Sequence, residues 1–287
     1  MSPSDPQWSV VVPSYNRPDE LRRCVTALQS LRAGEGESVE ILIVDDGGAR
    51  AAEPVAMSVP GPHQVRVYRQ VNQGPAAARN AGAAHARGRW LALTDDDCRP
   101  RGDWLIGLGA ALHEHPAALV GGRTVNALAD NAWSEATQIL VDHVVSTTPG
   151  GFLPSCNLAV DRQRFLASGG FDVSFPRAAG EDRALCDAWL AAGGKVLLVE
   201  GAVVDHEHRL TPRSFWRQHA GYGRAAHRIH ATTHGSQPGP PSRYLSLLTG
   251  PFARLPVLPA LNLSSRLLIS QLATAWGWFR AYAGRGA

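Results

Sequence analysis

Between Trp8 and about Val125, short runs rich in β-branched and other apolar residues alternate with segments of helical periodicity. Strands separated by helices cannot be joined by tight hairpins; they form a mostly parallel sheet with helices packed on it, so the expected fold class is α/β. The runs WSVVVP, VEILIVDD, QVRVYRQ and WLALTDDD read as strands. A helix is expected to start near Asn16, helped by Pro18 at an early helical position and by Asp19 and Glu20 in the first turn, and an Ala-rich helix follows Gly74 and Pro75. Three polar turns, Ser14 to Arg17, Asp45 to Gly48 and Asp95 to Asp97, therefore fall just past strand ends, where open α/β sheets place their ligands.

Further along, the stretch from Val125 to Gly151 fits no single pattern, while Asp161 to Ser168, Glu181 to Ala192 and Pro212 to His230 look helical, with a strand at KVLLVEG. Residues 231–242 are polar and rich in Pro and Gly and read as a linker. The expected organisation is a catalytic domain over 1–230, with a nucleotide-binding half at about 8–125 and an acceptor half at about 126–230, then the linker, then a helical C-terminal extension over 243–287. Beyond Pro251, Pro256 and Pro259, a helix over Leu261 to Arg280 gathers Leu261, Leu268, Leu272, Trp276 and Phe279 on one face, opposite Asn262, Arg266, Gln271 and Thr274. Docking of the apolar face on the chain's own core is the preferred expectation, with contact to a membrane surface or to a partner the alternatives.

Composition removes several function classes. A net charge of +3 is too small for a general nucleic-acid-binding surface. Lys195 is the only lysine, so positive charge is carried by arginine, whose planar fork matches phosphate oxygens. Cys24, Cys98, Cys156 and Cys186 are scattered without a CxxC pair, which suggests reduced thiols. The first residues lack a basic stretch followed by a long apolar one, and no run of about 18 apolar residues occurs, so a cytoplasmic protein is expected, able to touch the inner face of a membrane. Neither GxxxxGK[ST] nor a strand followed by GxGxxG is present, which sets aside P-loop phosphotransfer and Rossmann dehydrogenation.

Three consecutive aspartates, Asp95, Asp96 and Asp97, after an apolar strand repel one another unless a cation or donors compensate them. In an extended turn Asp95 and Asp97 can face one divalent ion while Asp96 points elsewhere. Such an ion also binds a diphosphate and offsets the charge that builds on it as a leaving group. His206, after a later apolar strand in VVDHEHR, is a further candidate ligand, and an imidazole beside carboxylates favours Mn²⁺ over Mg²⁺.

With these residues in place, the chain resembles the family-2 glycosyltransferases, inverting enzymes of GT-A fold, over roughly residues 8–230. The resemblance is carried by VVVPSYNRPDELRRCVTAL, ILIVDDGG, NQGPAAARNAG, LALTDDDCRPRGDWL, CNLAVDRQRFLASGGFD, GEDRALCDAWLAAG and VVDHEHR, in the family's order. It implies that Pro13, Tyr15, Asn16 and Arg17 flank a donor nucleotide, with Tyr15 available to stack on the base, that Asp46 accepts a hydrogen bond from the base, and that Arg79 faces the nucleotide or its phosphates. It further implies that Asp95 and Asp96 border the donor, that Asp95, Asp97 and His206 hold Mn²⁺ or Mg²⁺, and that Asp182 is the catalytic base. Asp182 would take the proton of an acceptor hydroxyl attacking the anomeric carbon. Trp104, Asn157 and Asp172 lie in segments that such enzymes use near the acceptor but stay outside the catalytic set.

The implied partners are a nucleoside diphosphate sugar, UDP-sugar by default, and an acceptor in glycan, cell-surface polysaccharide or glycolipid synthesis, with single addition favoured because the membrane helices and tryptophan motif of processive members are missing. The rival readings are a sugar-phosphate nucleotidyltransferase, which would show a glycine- and arginine-rich loop after the first strand where VPSYNRPDEL stands, and a non-catalytic nucleotide-sugar-binding scaffold.

Overall fold

A computed structural model of the chain describes residues 5–148, 150–175, 179–233 and 241–284. They form two compact units, one built from residues up to Val125 and from Gly150–Glu207, the other from Asn126 to residue 149 and from His208 onward.

In the first unit an eight-stranded sheet has the order β3-β2-β1-β4-β7-β6-β8-β5. The strands are β1 (Trp8–Ser14), β2 (Val39–Asp45), β3 (Gln64–Arg69), β4 (Trp90–Leu93), β5 (Cys98–Pro100), β6 (Leu119–Asn126), β7 (Leu158–Asp161) and β8 (Val196–His206). The first four run parallel, with Val10 opposite both Ile41 and Ala92. β7 is antiparallel to β4 and β6, and β5 is antiparallel to β8. The four parallel strands are those expected; β5, β6 and β7 are additions, since Cys98–Pro100 and Leu158–Asp161 are too short to show a period and Gly121 and Gly122 interrupt the apolar run of β6.

Every residue of β2 is buried, as a strand covered on both faces requires. Side chains of β1 alternate between two cores. Trp8, Val10 and Val12 join Ile41, Ile43 and the inward faces of α1 (Pro18–Leu28), α2 (Glu53–Met57) and, further along the chain, the helix Trp104–Glu114. Val11 joins Val44, Leu91 and Leu93 with α3 (Pro75–His85) on the other face. The helix Trp104–Glu114 is α4; α6 (Arg162–Ala167), capped by Asp161, and α7 (Glu181–Ala191) complete the unit. Trp104 is fully buried and donates through Nε1 to Asn157 Oδ1 at 2.8 Å, so this pair is core, while Asp172 caps its own loop by accepting from the Ser174 amide.

The second unit holds α5 (Ala132–Thr147), α8 (Pro212–Thr233), α9 (Pro241–Thr249) and α10 (Val257–Ala283). The stretch around Val125 to Gly151 that fitted no pattern is mostly α5, started by the Asn131 side chain accepting from the amides of Trp133 and Ser134. The boundary expected at residue 230 is not where the units divide, because α5 and α8 share a core with the C-terminal helices through Ala136, Phe215, Leu247, Leu263 and Leu267. Of the expected linker, Ala231 to Thr233 continue α8, residues 234–240 lie outside the described residues, and α9 begins at Pro241. Pro259 sits in the first turn of α10, where its missing N–H costs nothing, so the helix starts earlier than expected.

The face of α10 expected to dock on the core is instead exposed: Leu261, Leu268, Leu272, Trp276 and Phe279 are each 48–61% exposed. The reason is close backbone approach. A Cβ on Gly277 would lie 2.0 Å from the Ala220 carbonyl oxygen, and one on Gly223 would lie 1.9 Å from that of Thr274. So tight a seam between α8 and α10 admits only small side chains, and Ser270, Ala273 and Gly277 are buried there while the large residues are displaced outward. Among the described residues no helix is long and apolar enough to cross a membrane.

Candidate active site

Three strand ends of the first unit converge. β1 ends in Ser14, whose hydroxyl donates to Asp96 Oδ2 at 2.9 Å. Asn16 follows in a left-handed conformation, φ 57°, and its side-chain oxygen accepts from the Arg50 amide. Arg17 then turns its guanidinium onto the acidic triplet, Nη1 lying 3.2 Å from Asp96 Oδ1 and 2.9 Å from Asp97 Oδ2. Tyr15 is half exposed beside them and Pro13 is half-buried.

The three aspartates are solved one by one. Asp96 is buried between Ser14 and Arg17. Its burial pushes the carboxyl up to about 7 against the pull of Arg17, and the neighbouring Asp97 and Asp95 charges add to the rise. Asp97 meets Arg17 with one oxygen, while Nε2 of His206, at the end of β8, lies 3.3 Å from its other oxygen. Burial disfavours charged His206, but the hydrogen bond and charge of Asp97 outweigh it and hold the imidazole at about 9. Asp95 turns away from both and pairs with Arg79.

Arg79 is the hub. It stands one turn into α3, itself launched by Gly74 at φ 88°, a conformation that favours glycine. Only 2% exposed, it donates from Nη2 to Asp95 Oδ1 at 2.5 Å and from Nη1 to Glu181 Oε1 at 3.2 Å, with the Phe171 ring 5.5 Å from its centre. Its Nε is buried without a hydrogen-bond partner among the described residues. The bridge joins the end of β4 to the start of α7, and so sets Asp182 one residue from a group tied to Asp95. Burial raises Asp182 to about 7, the Glu181 charge adding to the rise, while the amides of Arg183 and Ser155 and the charge of Arg79 hold it back. A carboxyl poised there can accept a proton near neutral pH.

Asp46, expected to meet a base, is filled from within. It is buried and accepts from Gln70 Nε2, Asn72 Nδ2 and the amides of Gln73 and Gly74 at 2.8–3.2 Å, pinning the loop that leads into α3. Arg79, expected to face phosphates, is spent on the two carboxylates. Thus Arg17, Asp96, Asp97 and His206 form one group and Arg79, Asp95, Glu181 and Asp182 the next. Glu181 was visible in the sequence only as charge at a helix start, and the closeness of Cys98 and Cys156 to His206 is hidden by separations of 108 and 50 positions. The Asp97 carboxylate beside the His206 imidazole suits a divalent ion of the Mn²⁺ or Mg²⁺ type, and the Arg17 guanidinium shows that the spot favours a cation; Asp95, paired with Arg79, does not converge with them, and the trio that gathers among the described residues is Cys98, Cys156 and His206.

A family model described as "Glycosyl transferase family 2" matches residues 9–171. The chain is 31% identical over 235 residues to the "Pre-mycofactocin glycosyltransferase" of Mycobacterium tuberculosis, covering 78% of this chain and 47% of the relative. It is 29% identical to "Succinoglycan biosynthesis protein ExoO" of Rhizobium meliloti, covering 66% of this chain and 57% of that one. The chain thus spans about half the length of these curated relatives. Its fold is similar to that of a mannosyltransferase, PcManGT, from Pyrobaculum calidifontis, solved with GDP-Man and Mn²⁺, at a TM-score of 0.64 and 15% identity, covering 95% of this chain and 88% of the other.

Replacing Arg79 by Leu leaves two carboxylates beside a gap, one of them buried. We expect Arg79→Leu to lower the unfolding free energy by about 3–5 kcal/mol in urea titrations followed by circular dichroism. A loss within about 0.5 kcal/mol, the range of ordinary surface substitutions, would mean that the bridge does not hold the site together.

Proposed function

The chain belongs to glycosyl transferase family 2, matched over residues 9–171, and from that premise we propose that it transfers a sugar, with inversion, from a nucleoside diphosphate sugar to an acceptor hydroxyl. The observation that carries the mechanism is the Arg79 bridge, which ties the acidic turn after β4 to the turn that bears Asp182. Asp182 is the base: its raised affinity for a proton matches the task of taking one from an alcohol as the new bond forms. Tyr15, half exposed beside the acidic turn, is the surface on which the donor's base stacks, and Pro13, Asn16 and Arg17 border it.

Asp97 and His206, with Asp95 from the neighbouring group, would hold a divalent cation; bound there, it offsets negative charge on the departing diphosphate. Arg17 must then release Asp97, and with half of its side chain exposed it is free to swing to the phosphates. Asp46 acts on the donor pocket through the loop it pins rather than by direct contact with the base. A UDP-sugar is the default donor, and a GDP-sugar is the first alternative because PcManGT was solved with GDP-Man. The succinoglycan relative supports an acceptor in cell-surface polysaccharide synthesis.

Calorimetry with UDP-, GDP- and dTDP-sugars, with Mn²⁺ present or chelated, tests the donor side. We expect one donor to bind only with metal and Asp97→Ala to weaken it at least about 100-fold, the loss of a ligand costing more than the 10–100-fold of an outer partner. Binding that ignores both the metal and the substitution contradicts the assignment.

Through α10 the protein would sit at a membrane's cytoplasmic face. Leu258, Leu268, Leu272, Trp276 and Phe279 are exposed along one side of that helix, and residues 208–287 carry ten arginines and no aspartate or glutamate. An apolar stripe on a purely cationic segment matches an anionic bilayer surface. In flotation assays the protein should rise with phosphatidylglycerol-containing vesicles and stay down with phosphatidylcholine alone, and the double variant Trp276→Ser with Phe279→Ser should lose about tenfold or more of its partitioning. Equal partitioning of the two forms overturns the membrane assignment.

A further inference from the structure

Three of the four cysteines lie at the acidic turn: Cys24 donates to the Asp95 carbonyl oxygen at 3.4 Å, and Cys98 and Cys156 gather with His206. Cys98 opens β5 directly after the aspartate triplet and lies opposite His206 in the antiparallel pair of β5 and β8. Cys156 lies in the short helical turn Ser155–Asn157 that precedes β7. The two sulfurs and a ring nitrogen of His206 all fall within 4.8 Å of one another. Cys98 is fully buried and Cys156 is 6% exposed, while the His206 side chain is 22% exposed and gives the cluster its route to solvent. A buried cysteine alone is a small apolar residue, which accounts for Cys186 in its core. It does not account for two thiols and an imidazole converging from three elements.

We propose that Cys98, Cys156 and His206 form a binding site for a thiophilic divalent ion of the zinc class, separate in its donor chemistry from the carboxylate side of the turn. Two thiolates and one imidazole are a donor set for tetrahedral Zn²⁺ with one position left for water, and they discriminate against Mn²⁺ and Mg²⁺, which favour oxygen. The Asp97 carboxylate, 3.3 Å from His206 Nε2, orients the ring. Burial raises the Cys98 thiol well above its ordinary value, so it stays protonated on its own, and each thiol that ligates the ion gives its proton to solvent. Zinc bound here engages His206, and by the family reading above it competes with the ion that Asp97 and His206 would share on the donor side; the site itself does not depend on that reading.

Cobalt substitution tests the site with no donor or acceptor. The whole chain, stripped with a chelator and kept reduced, is titrated with Co²⁺, and thiolate ligation is read as near-ultraviolet sulfur-to-cobalt charge-transfer absorption. We expect the band to saturate at about one equivalent and to be chased by Zn²⁺ but not by Mg²⁺. Cys98→Ser and Cys156→Ser should each weaken it, Cys186→Ser should leave it intact, and His206→Ala should retain a sulfur band with Co²⁺ affinity reduced at least about tenfold. Circular dichroism shows that each variant is folded. Absence of the band in the wild-type chain, or a band that survives both substitutions at Cys98 and Cys156, overturns the proposal. A donor that binds with Mn²⁺ in calorimetry while the cobalt band is absent would remove the zinc site and leave the family reading standing.

Discussion

A guanidinium with 2% exposure, held between two carboxylates, organises the first unit. Arg79 reaches from α3 to Asp95 at the end of β4 and to Glu181 at the start of α7. Removing a charge from water is costly, and the cost is recovered only when its partners are close and well oriented. That condition fixes three elements relative to one another more strictly than apolar packing would, because contacts between aliphatic side chains tolerate small shifts. The geometry of the acidic turn, and the place of Asp182 beside it, follow from this one requirement.

Around that bridge, negative charge exceeds what the local cations balance. Arg17 and His206 face Asp96 and Asp97, and Arg79 faces Asp95 and Glu181, which leaves Asp182 half-buried beside a like charge. The molecule accommodates this by holding protons: Asp96 and Asp182 are both raised to about 7. A carboxyl with a folded-state value above its unfolded one favours the folded state while both forms keep the proton, and loses that advantage as pH rises toward 7. The chain therefore keeps at Asp182 a group whose ionised form costs stability, a cost suited to a proton acceptor working near neutrality.

Much of this was legible in the sequence because it follows from local chemistry. Fully buried parallel strands need continuous apolar runs, so β1 to β4 stand out, and the acidic and polar turns after them lie where strand ends must be. The pairings were not legible. That Asp46 would be saturated by its own loop, or that Glu181 would share Arg79 with Asp95, depends on contacts across 27 and 102 positions that no period encodes. The exposed face of α10 departs from the amphipathic expectation for a different reason. Large apolar residues are expected inside, yet the α8 seam at Gly223 and Gly277 is so close that it selects small ones, and amphipathicity alone gives no measure of how near two backbones come.

The central claim, that Asp182 is the base and works from a value near 7, is tested most directly by the pH dependence of donor turnover, read as released nucleoside diphosphate, in wild type and Asp182→Asn. The account predicts that wild-type turnover falls about tenfold per pH unit below about 7. It also predicts that Asp182→Asn loses at least about 100-fold in turnover at and above pH 7, that this gap narrows as pH falls because protonated Asp182 is no better a base, and that the variant binds donor normally in calorimetry. An Asp182→Asn protein that releases nucleotide at the wild-type rate with an unchanged pH profile would contradict it.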